Sequence, residues 1–179
     1  KLNKYDKKVF KDSLIEIKEI VQSHPSDFAE KLIEICASSG VALVFTSNIP
    51  KAPISGVARW VRGIPLIQLT DRYKSNDHFW FSFYHEAGHI LLHGKKDIFI
   101  ENSNNSETDS TKEVEANEFA RKTLLPSKFI ENLPQKFTEK DLRKIARLYK
   151  THPAIVVGQL QHLKKVPFSF GNNLKLKVD

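Results

Sequence analysis

Apolar residues at the start of the chain recur with helical spacing, and this pattern predicts two N-terminal helices. Leu14, Ile17 and Val21 mark the apolar face of the first helix. The second helix is expected to run from an N-cap at Ser26 to the Ser-Ser-Gly stop at 38–40.

The spacing then changes to one typical of β-strands. Three short segments, at 41–45, 56–60 and 65–70, are rich in β-branched and aromatic residues and are separated by Pro or Gly. The second and third are joined by Val-Arg-Gly-Ile at 61–64, which predicts a hairpin. We expect one of these two strands to form the edge of a cleft, where an extended peptide can pair with it.

The next predicted element is a long apolar helix with Asp77 as its N-cap, ending near His93 with Gly94 as its stop. Residues 101–112 are wholly polar and have no apolar period, so we expect a mobile surface loop there. Further helices and a tail with at most one short strand follow. The predicted helices span 112–125, 127–133, 138–150 behind a Thr138 cap, and 153–165.

These elements predict an α+β fold in which a small twisted β-sheet packs on the apolar helix, with further helices before and after it. A chain of 179 residues is long enough to bury a core of its own. We expect an N-terminal helical segment over 1–40, a core over 41–133, and C-terminal helices and a tail over 134–179 that pack on the core.

Composition favours a cytoplasmic protein that does not act at a membrane. Hydrophobic residues make up 40% of the chain and charged residues 27%, as in ordinary globular domains. No uninterrupted apolar run approaches about 18 residues, and the first residues do not form a signal peptide. The single cysteine, Cys36, lies among apolar residues and is interpreted as a core residue rather than a nucleophile.

The net charge of +7 is compatible with contact to nucleic acid or to an acidic partner. However, the basic residues are scattered, and their small clusters at 140–147, 164–165 and 174–177 are more typical of solvated helix faces. The chain contains no methionine, so we expect it to be part of a longer protein.

The candidate chemistry lies inside the apolar helix, in the motif His-Glu-Ala-Gly-His at 85–89. His85 and His89 are four residues apart, so both imidazoles project from one helix face and can bind one zinc ion at roughly 2.0–2.1 Å. Glu86 points to a neighbouring position, where it can hold and deprotonate a metal-bound water. The pattern predicts the active site of a zinc hydrolase, with Zn2+ as its cofactor.

A catalytic zinc site needs a third protein donor, and the segment after the polar loop offers three glutamates. On a helix, Glu113 and Glu115 flank a face that carries Ala and Phe residues, whereas Glu118 points well away from it. Periodicity therefore excludes Glu118 and leaves Glu113 and Glu115 open.

The motif at 85–89, followed by Glu-Val-Glu-Ala-Asn-Glu-Phe-Ala-Arg-Lys-Thr-Leu-Leu-Pro at 113–126, closely resembles the ImmA/IrrE family of zinc metallopeptidases. In that family the glutamate immediately before Ala-Asn is the third zinc ligand, which implies Glu115 here. The aromatic run at 79–84 and Gly-Val-Ala-Arg-Trp at 56–60 are similar to a branch found in helix-turn-helix antitoxin-type regulators.

The resemblance implies a zinc-dependent endopeptidase in which His85, His89 and Glu115 bind Zn2+ and Glu86 is the general base. The implied substrate is a protein, in particular a DNA-binding helix-turn-helix repressor cut in stress response or mobile-element control. A helix-turn-helix domain upstream of Lys1, able to contact DNA, is also expected. The alternative is a regulatory or antitoxin domain that binds a protein partner and keeps zinc for structure. The glutamate within the motif argues against it, because a structural site needs no base.

Other polar residues near the motif are expected to have supporting roles. His93 lies one turn beyond His89, and three imidazoles on one straight helix do not easily converge on one ion, so a supporting or capping role is favoured. Asn117 is expected to hydrogen-bond a ligand, and Tyr84 to pack in the core. The remaining histidines are interpreted as surface or ordinary core residues: His24, His78, His152 and His162.

Overall fold

A computed structural model of the chain describes residues 1–47, 54–70, 72, 74–93, 99–100 and 107–178. Its helices are α1 (Lys7–Ser23), α2 (Phe28–Ser38), α3 (Asn76–Leu92), α4 (Glu107–Leu124), α5 (Glu139–Leu148) and α6 (Pro153–His162). Its strands are β1 (Ala42–Thr46), β2 (Gly56–Val61), β3 (Ile64–Thr70) and β4 (Phe99–Ile100). Two short 3-10 helices occupy Ser127–Asn132 and Asn172–Leu174.

The strands form a mixed sheet in the order β1-β3-β2-β4, with β1 parallel to β3 and β2 antiparallel to both of its neighbours. The predicted hairpin joins β2 to β3 through Arg62 and Gly63, whose φ angles are 52° and 82°. Two successive positive φ angles are the geometry that suits a two-residue hairpin. The hairpin prediction is therefore confirmed.

The expectation that β2 or β3 forms a cleft edge is wrong for β3, which lies between β1 and β2. β2 is also covered where it starts, because Val57 and Ala58 pair with Ile100 and Phe99. Strand β4, which covers β2, has only two residues, so no alternation of apolar and polar positions could reveal it in the sequence.

Helix α3 is the centre of the molecule. Trp80, Phe83 and Tyr84 are fully buried, and α3 contacts α1, α4, α6, β2 and β3. Cys36 joins the same core from α2, where burial raises the pKa of its thiol to about 12. The predicted α+β fold, with a small sheet on this helix and helices before and after it, is confirmed.

Helix α3 begins two residues earlier than expected, because its N-cap is Ser75 rather than Asp77. Asp77 is 6% exposed, and its Oδ2 lies 2.7 Å from Lys175 Nζ. The backbone N–H of Asn76 donates to the Leu176 carbonyl, and the Leu176 N–H donates to Asn76 Oδ1. The carboxylate thus holds the C-terminal tail against the start of α3.

Helix α4 begins at Glu107, five residues earlier than its predicted start at 112. The mobile loop predicted for 101–112 is therefore wrong for 107–112, and 101–106 lie outside the described residues, as does the expected stop Gly94. Ser110 and Thr111 are exposed, so this end of α4 needs no apolar period. No helix in the described parts of the chain has the length and apolar character needed to cross a membrane.

Candidate metal centre

The motif histidines lie where α3 packs most closely on α4. A Cβ at Gly88 would lie 3.1 Å from Phe119 Cδ1 and 3.3 Å from Ala116 Cα, so glycine permits the close approach of the two helices. His85, Glu86 and His89 are 4%, 1% and 0% exposed. The apolar surroundings predicted for the motif are therefore present.

Three donor groups converge between these helices. His85 Nε2 and His89 Nε2 are 3.1 Å apart, and Glu113 places Oε2 3.3 Å from His85 and Oε1 3.1 Å from His89. Donors arranged tetrahedrally around an ion at roughly 2.0–2.1 Å would be about 3.3 Å apart. Two imidazoles and one carboxylate at this spacing fit a zinc ion.

The structure differs from the sequence prediction at the third donor, because Glu113 and not Glu115 lies beside the two histidines. Residues two apart on a helix point about 200° away from each other, so only one of these glutamates can face His85 and His89. The structure thus favours one of the two candidates that periodicity had left open, and the resemblance implied the other.

Glu115 contacts His93 instead, with 3.0 Å between its Oε2 and His93 Nε2. The other ring nitrogen of His93, Nδ1, lies 3.0 Å from His89 Nδ1. If His89 Nε2 is the metal donor, its Nδ1–H donates to His93, and His93 Nε2–H then donates to the carboxylate. Glu115 and His93 therefore form a chain that orients His89.

His85 has a comparable support, because its Nδ1 lies 3.1 Å from Asn117 Oδ1. Asn117 follows Glu113 by four residues, so the donor and the support for the neighbouring histidine occupy one face of α4. The hydrogen bond expected of Asn117 is present.

The carboxyl of Glu86 packs against the first residue of β2. A Cβ at Gly56 would lie 2.5 Å from Glu86 Oε1, so the first residue of β2 must lack a side chain for the carboxyl to take this position. The sequence alone does not indicate this role of Gly56, since it depends on the packing of β2 against α3.

The chain matches the sequence profile Peptidase_M78, described as the IrrE N-terminal-like domain, over residues 36–159. The match covers more than half of the chain. This chain belongs to the IrrE N-terminal-like family. The membership confirms the resemblance drawn from the motifs at 85–89 and 113–126, and the family is one of metallopeptidases. No curated protein matches the chain.

The electrostatics of this IrrE-like centre favour metal-binding protonation states. Burial by itself would raise the pKa of Glu113, but hydrogen bonds and charges from His85 and His89 outweigh it and hold the pKa at about 2. Burial lowers the pKa of His89, although its contact with Glu113 opposes that shift. An ionised carboxylate and neutral imidazoles are the forms that bind a metal.

Two other histidines of this IrrE-like domain lie at the opposite end of α3 and serve the fold. His24 Nδ1 accepts a hydrogen bond from Trp80 Nε1–H at 3.1 Å. His152 Nδ1 accepts from the Ala154 N–H at the start of α6 and lies 3.1 Å from Asn76 Nδ2. Asn76 is nine residues before His85, about 13 Å along the helix, so His152 is remote from the metal centre.

Proposed function

We propose that this chain is a zinc-dependent endopeptidase that hydrolyses peptide bonds in a protein substrate. One observation carries the proposal. His85, His89 and Glu113 converge as a donor set, while the buried carboxyl of Glu86 stays outside that set. A zinc site used only for structure is usually closed by four protein ligands and needs no base beside it.

In this proposal His85, His89 and Glu113 hold the zinc ion. When bound, the ion would supply Lewis acidity that polarises the scissile carbonyl and activates water near neutral pH. Glu86 accepts the proton of the attacking water at its carboxylate and later gives a proton to the leaving amine. Gly56 leaves room for the Glu86 carboxyl, while Asn117 and His93 keep the two histidine rings oriented.

The substrate class is inferred from the family. We propose a DNA-binding repressor of the helix-turn-helix type, whose cleavage would change transcription. The competing function is a regulatory domain that binds a protein partner and keeps the metal without cutting. The packing of Gly56 on Glu86 favours the enzyme, since a binding module has no need of space for this carboxylate.

The substitution Glu86→Gln separates the two functions. Glutamine has nearly the shape of glutamate but cannot accept the proton, so cleavage should fall by about 10²–10⁴-fold. Zinc content and thermal stability should remain close to those of the unmodified protein. The readout is mass spectrometry of fragments from a helix-turn-helix repressor encoded by a neighbouring gene, with and without zinc.

Glu118→Gln is the matched control, because Glu118 is a surface residue paired with Lys122. It should cut as the unmodified protein does. If Glu86→Gln supports the biological response fully, or if the unmodified protein never cuts its partner, the enzymatic proposal is wrong.

A further inference from the structure

A second concave site lies beside the metal centre, between α3, α4, α6 and the C-terminal tail. It is a cavity of about 510 Å³, within the range of sites that bind small ligands or side chains. Its walls include Phe81, Leu124, Ile155 and Phe168, with Arg121 and Lys164 at the polar side. None of these residues belongs to the donor set.

The cavity lies along the same pair of helices, α3 and α4, as the metal centre. His85 contacts Asn117 across the helix pair, and each helix continues one turn further into the cavity. On α3 that turn leads to Phe81, whose ring centroid is 6.3 Å from that of His85. On α4 it leads to Arg121, four residues after Asn117. The cavity therefore begins about 6 Å along α3 from His85 and about 12 Å along α4 from Glu113.

The tail presents an aromatic ring at the mouth of the cavity. Phe168 is 77% exposed, yet its backbone is held in place. The buried Gln161 donates through Nε2 to the carbonyls of Phe168 and Phe170 and to Asn172 Oδ1. Asn172 Nδ2 also donates to the Phe168 carbonyl. A large exposed aromatic ring on a fixed turn is typical of a contact surface.

The polar side of the cavity is cationic. Arg121 Nη1 lies 3.2 Å from His162 Nε2, and the acid near it, the exposed Glu118, forms its ion pair with Lys122 at 2.7 Å. Lys164 adds a second positive charge to the lining. The carboxylate of Asp77 is matched by Lys175 at 2.7 Å, so it does not neutralise the other two. The charge of the cavity therefore complements an acidic group.

We propose that this cavity is the specificity pocket of the peptidase and takes an apolar side chain of the substrate next to an acidic residue. Because an extended chain advances about 3.3 Å per residue, the apolar residue would lie about two to four residues from the cleaved bond. The inference rests on the proposed peptidase function. The occupant is a peptide segment of the substrate, with its acidic group at Arg121.

Binding is measured on zinc-loaded Glu86→Gln protein by fluorescence anisotropy. The probes are fluorescein-labelled ten-residue Ser/Gly peptides in which a Phe-Glu pair is moved one position at a time. Matched peptides carry Ala-Glu or Phe-Lys. Filling the pocket with the phenyl ring and pairing the acid with Arg121 should each tighten binding about tenfold or more. The unmodified protein should cut the Phe-Glu peptides about two to four residues from the pair.

Arg121→Glu should reverse the preference, so that Phe-Lys peptides bind more tightly than Phe-Glu peptides. Lys122→Glu is the matched control: its side chain is 70% exposed, it pairs with Glu118, and it does not line the cavity. It should leave the preference unchanged. Phe168→Ala should weaken all Phe-containing peptides.

The pocket proposal would be overturned if the three peptide classes bound with equal affinity. It would also be overturned if Arg121→Glu and Lys122→Glu changed the preference for Phe-Glu peptides equally. If the unmodified protein cuts all peptides without a preference for the Phe-Glu pair, the pocket proposal is wrong and the peptidase function is retained. If Phe-Glu peptides bind more tightly, Arg121→Glu reverses this preference and no peptide is cut, the pocket proposal is supported and the peptidase function is wrong.

Discussion

At the scale of single residues, two glutamates separated by one valine occupy different environments. Glu113 is half-buried between two histidine rings, whereas the side chain of Glu115 is 54% exposed and contacts His93. The difference comes from the direction in which each side chain leaves the helix. Their variants should therefore have different effects on metal binding.

Glu113→Ala should remove most of the zinc, because it deletes one of the donors. Glu115→Ala should retain zinc with an affinity about 10–100-fold lower, since it removes only the group that orients His93. His93→Ala should weaken binding by a similar factor. Competition with a chromophoric chelator measures all three affinities, and Glu118→Ala is the surface control.

A greater loss of zinc in Glu115→Ala than in Glu113→Ala would show that Glu115 is the third ligand, as the resemblance implied. If Glu115→Ala and His93→Ala leave the zinc affinity unchanged, their hydrogen-bonded chain has no role in metal binding.

At the scale of secondary-structure elements, the start of α6 depends on a histidine where other helices use Ser, Thr or Asp. His152 caps the helix through Nδ1, which must be unprotonated to accept the Ala154 N–H. Burial lowers its pKa to about 4, aided by the charges of His24 and Arg143 and opposed by Asp77. This cap therefore makes the fold sensitive to acid.

The sign of that sensitivity follows from the two pKa values. Unfolded histidine titrates near 6.5, so below about that pH the unfolded chain binds a proton that the folded chain excludes. The stability that neutral His152 provides is fully present above about pH 6.5 and is lost as the pH falls towards 4. His152→Asn keeps an acceptor at the N-cap but does not titrate.

We therefore expect the thermal unfolding midpoint of the unmodified protein to fall more steeply between about pH 6.5 and 4 than that of His152→Asn. Scanning calorimetry at matched zinc concentration measures the difference. Parallel pH profiles in the two proteins would contradict the role given to His152. Activity near neutral pH should be equal in both, since His152 is remote from the metal centre.

At the scale of the whole molecule, the C-terminal tail joins the beginning of the central helix to α6. Lys175 Nζ contacts Asp77 Oδ2 at 2.7 Å and Gln161 Oε1 at 2.9 Å, and its side chain is 12% exposed. The tail continues with the Val178 N–H donating to the Lys74 carbonyl. A Cβ at Gly158 would lie 2.8 Å from Asp77 Oδ2, so α6 also packs tightly on this ion pair.

Lys175→Ala should lower the free energy of unfolding by about 3–5 kcal/mol, because it leaves a buried carboxylate without its cation. Urea unfolding measures the loss, and the exposed Lys165→Ala is the control. The double variant Asp77→Asn, Lys175→Met should lose less than the sum of its single variants. A loss in Lys175→Ala no greater than in Lys165→Ala would show that the tail contributes little to stability.

The sequence by itself determined the elements whose signals are local. The apolar period of α1, the apolar character of α3, the Arg-Gly hairpin and the Thr138 start of α5 all depend on residues within a few positions of each other. Thr138 donates to Asp141 through both its N–H and its hydroxyl, a contact within one helical turn. The two histidines of the motif also belong to this group, because helical spacing alone brings them to one face.

Features that depend on contacts between distant segments of the chain were decided only by the tertiary structure. The rotation of α4 against α3 brings Glu113 rather than Glu115 to the histidines, and the sequence pattern is the same for either rotation. Pairing with β4 covers the start of β2. The C-terminal tail lies one hundred residues from Asn76 along the chain, and its Lys175 forms an ion pair with Asp77, which therefore does not act as the N-cap of α3. The physical reason is that helix periodicity fixes which residues share a face, whereas packing against the rest of the chain fixes where that face points.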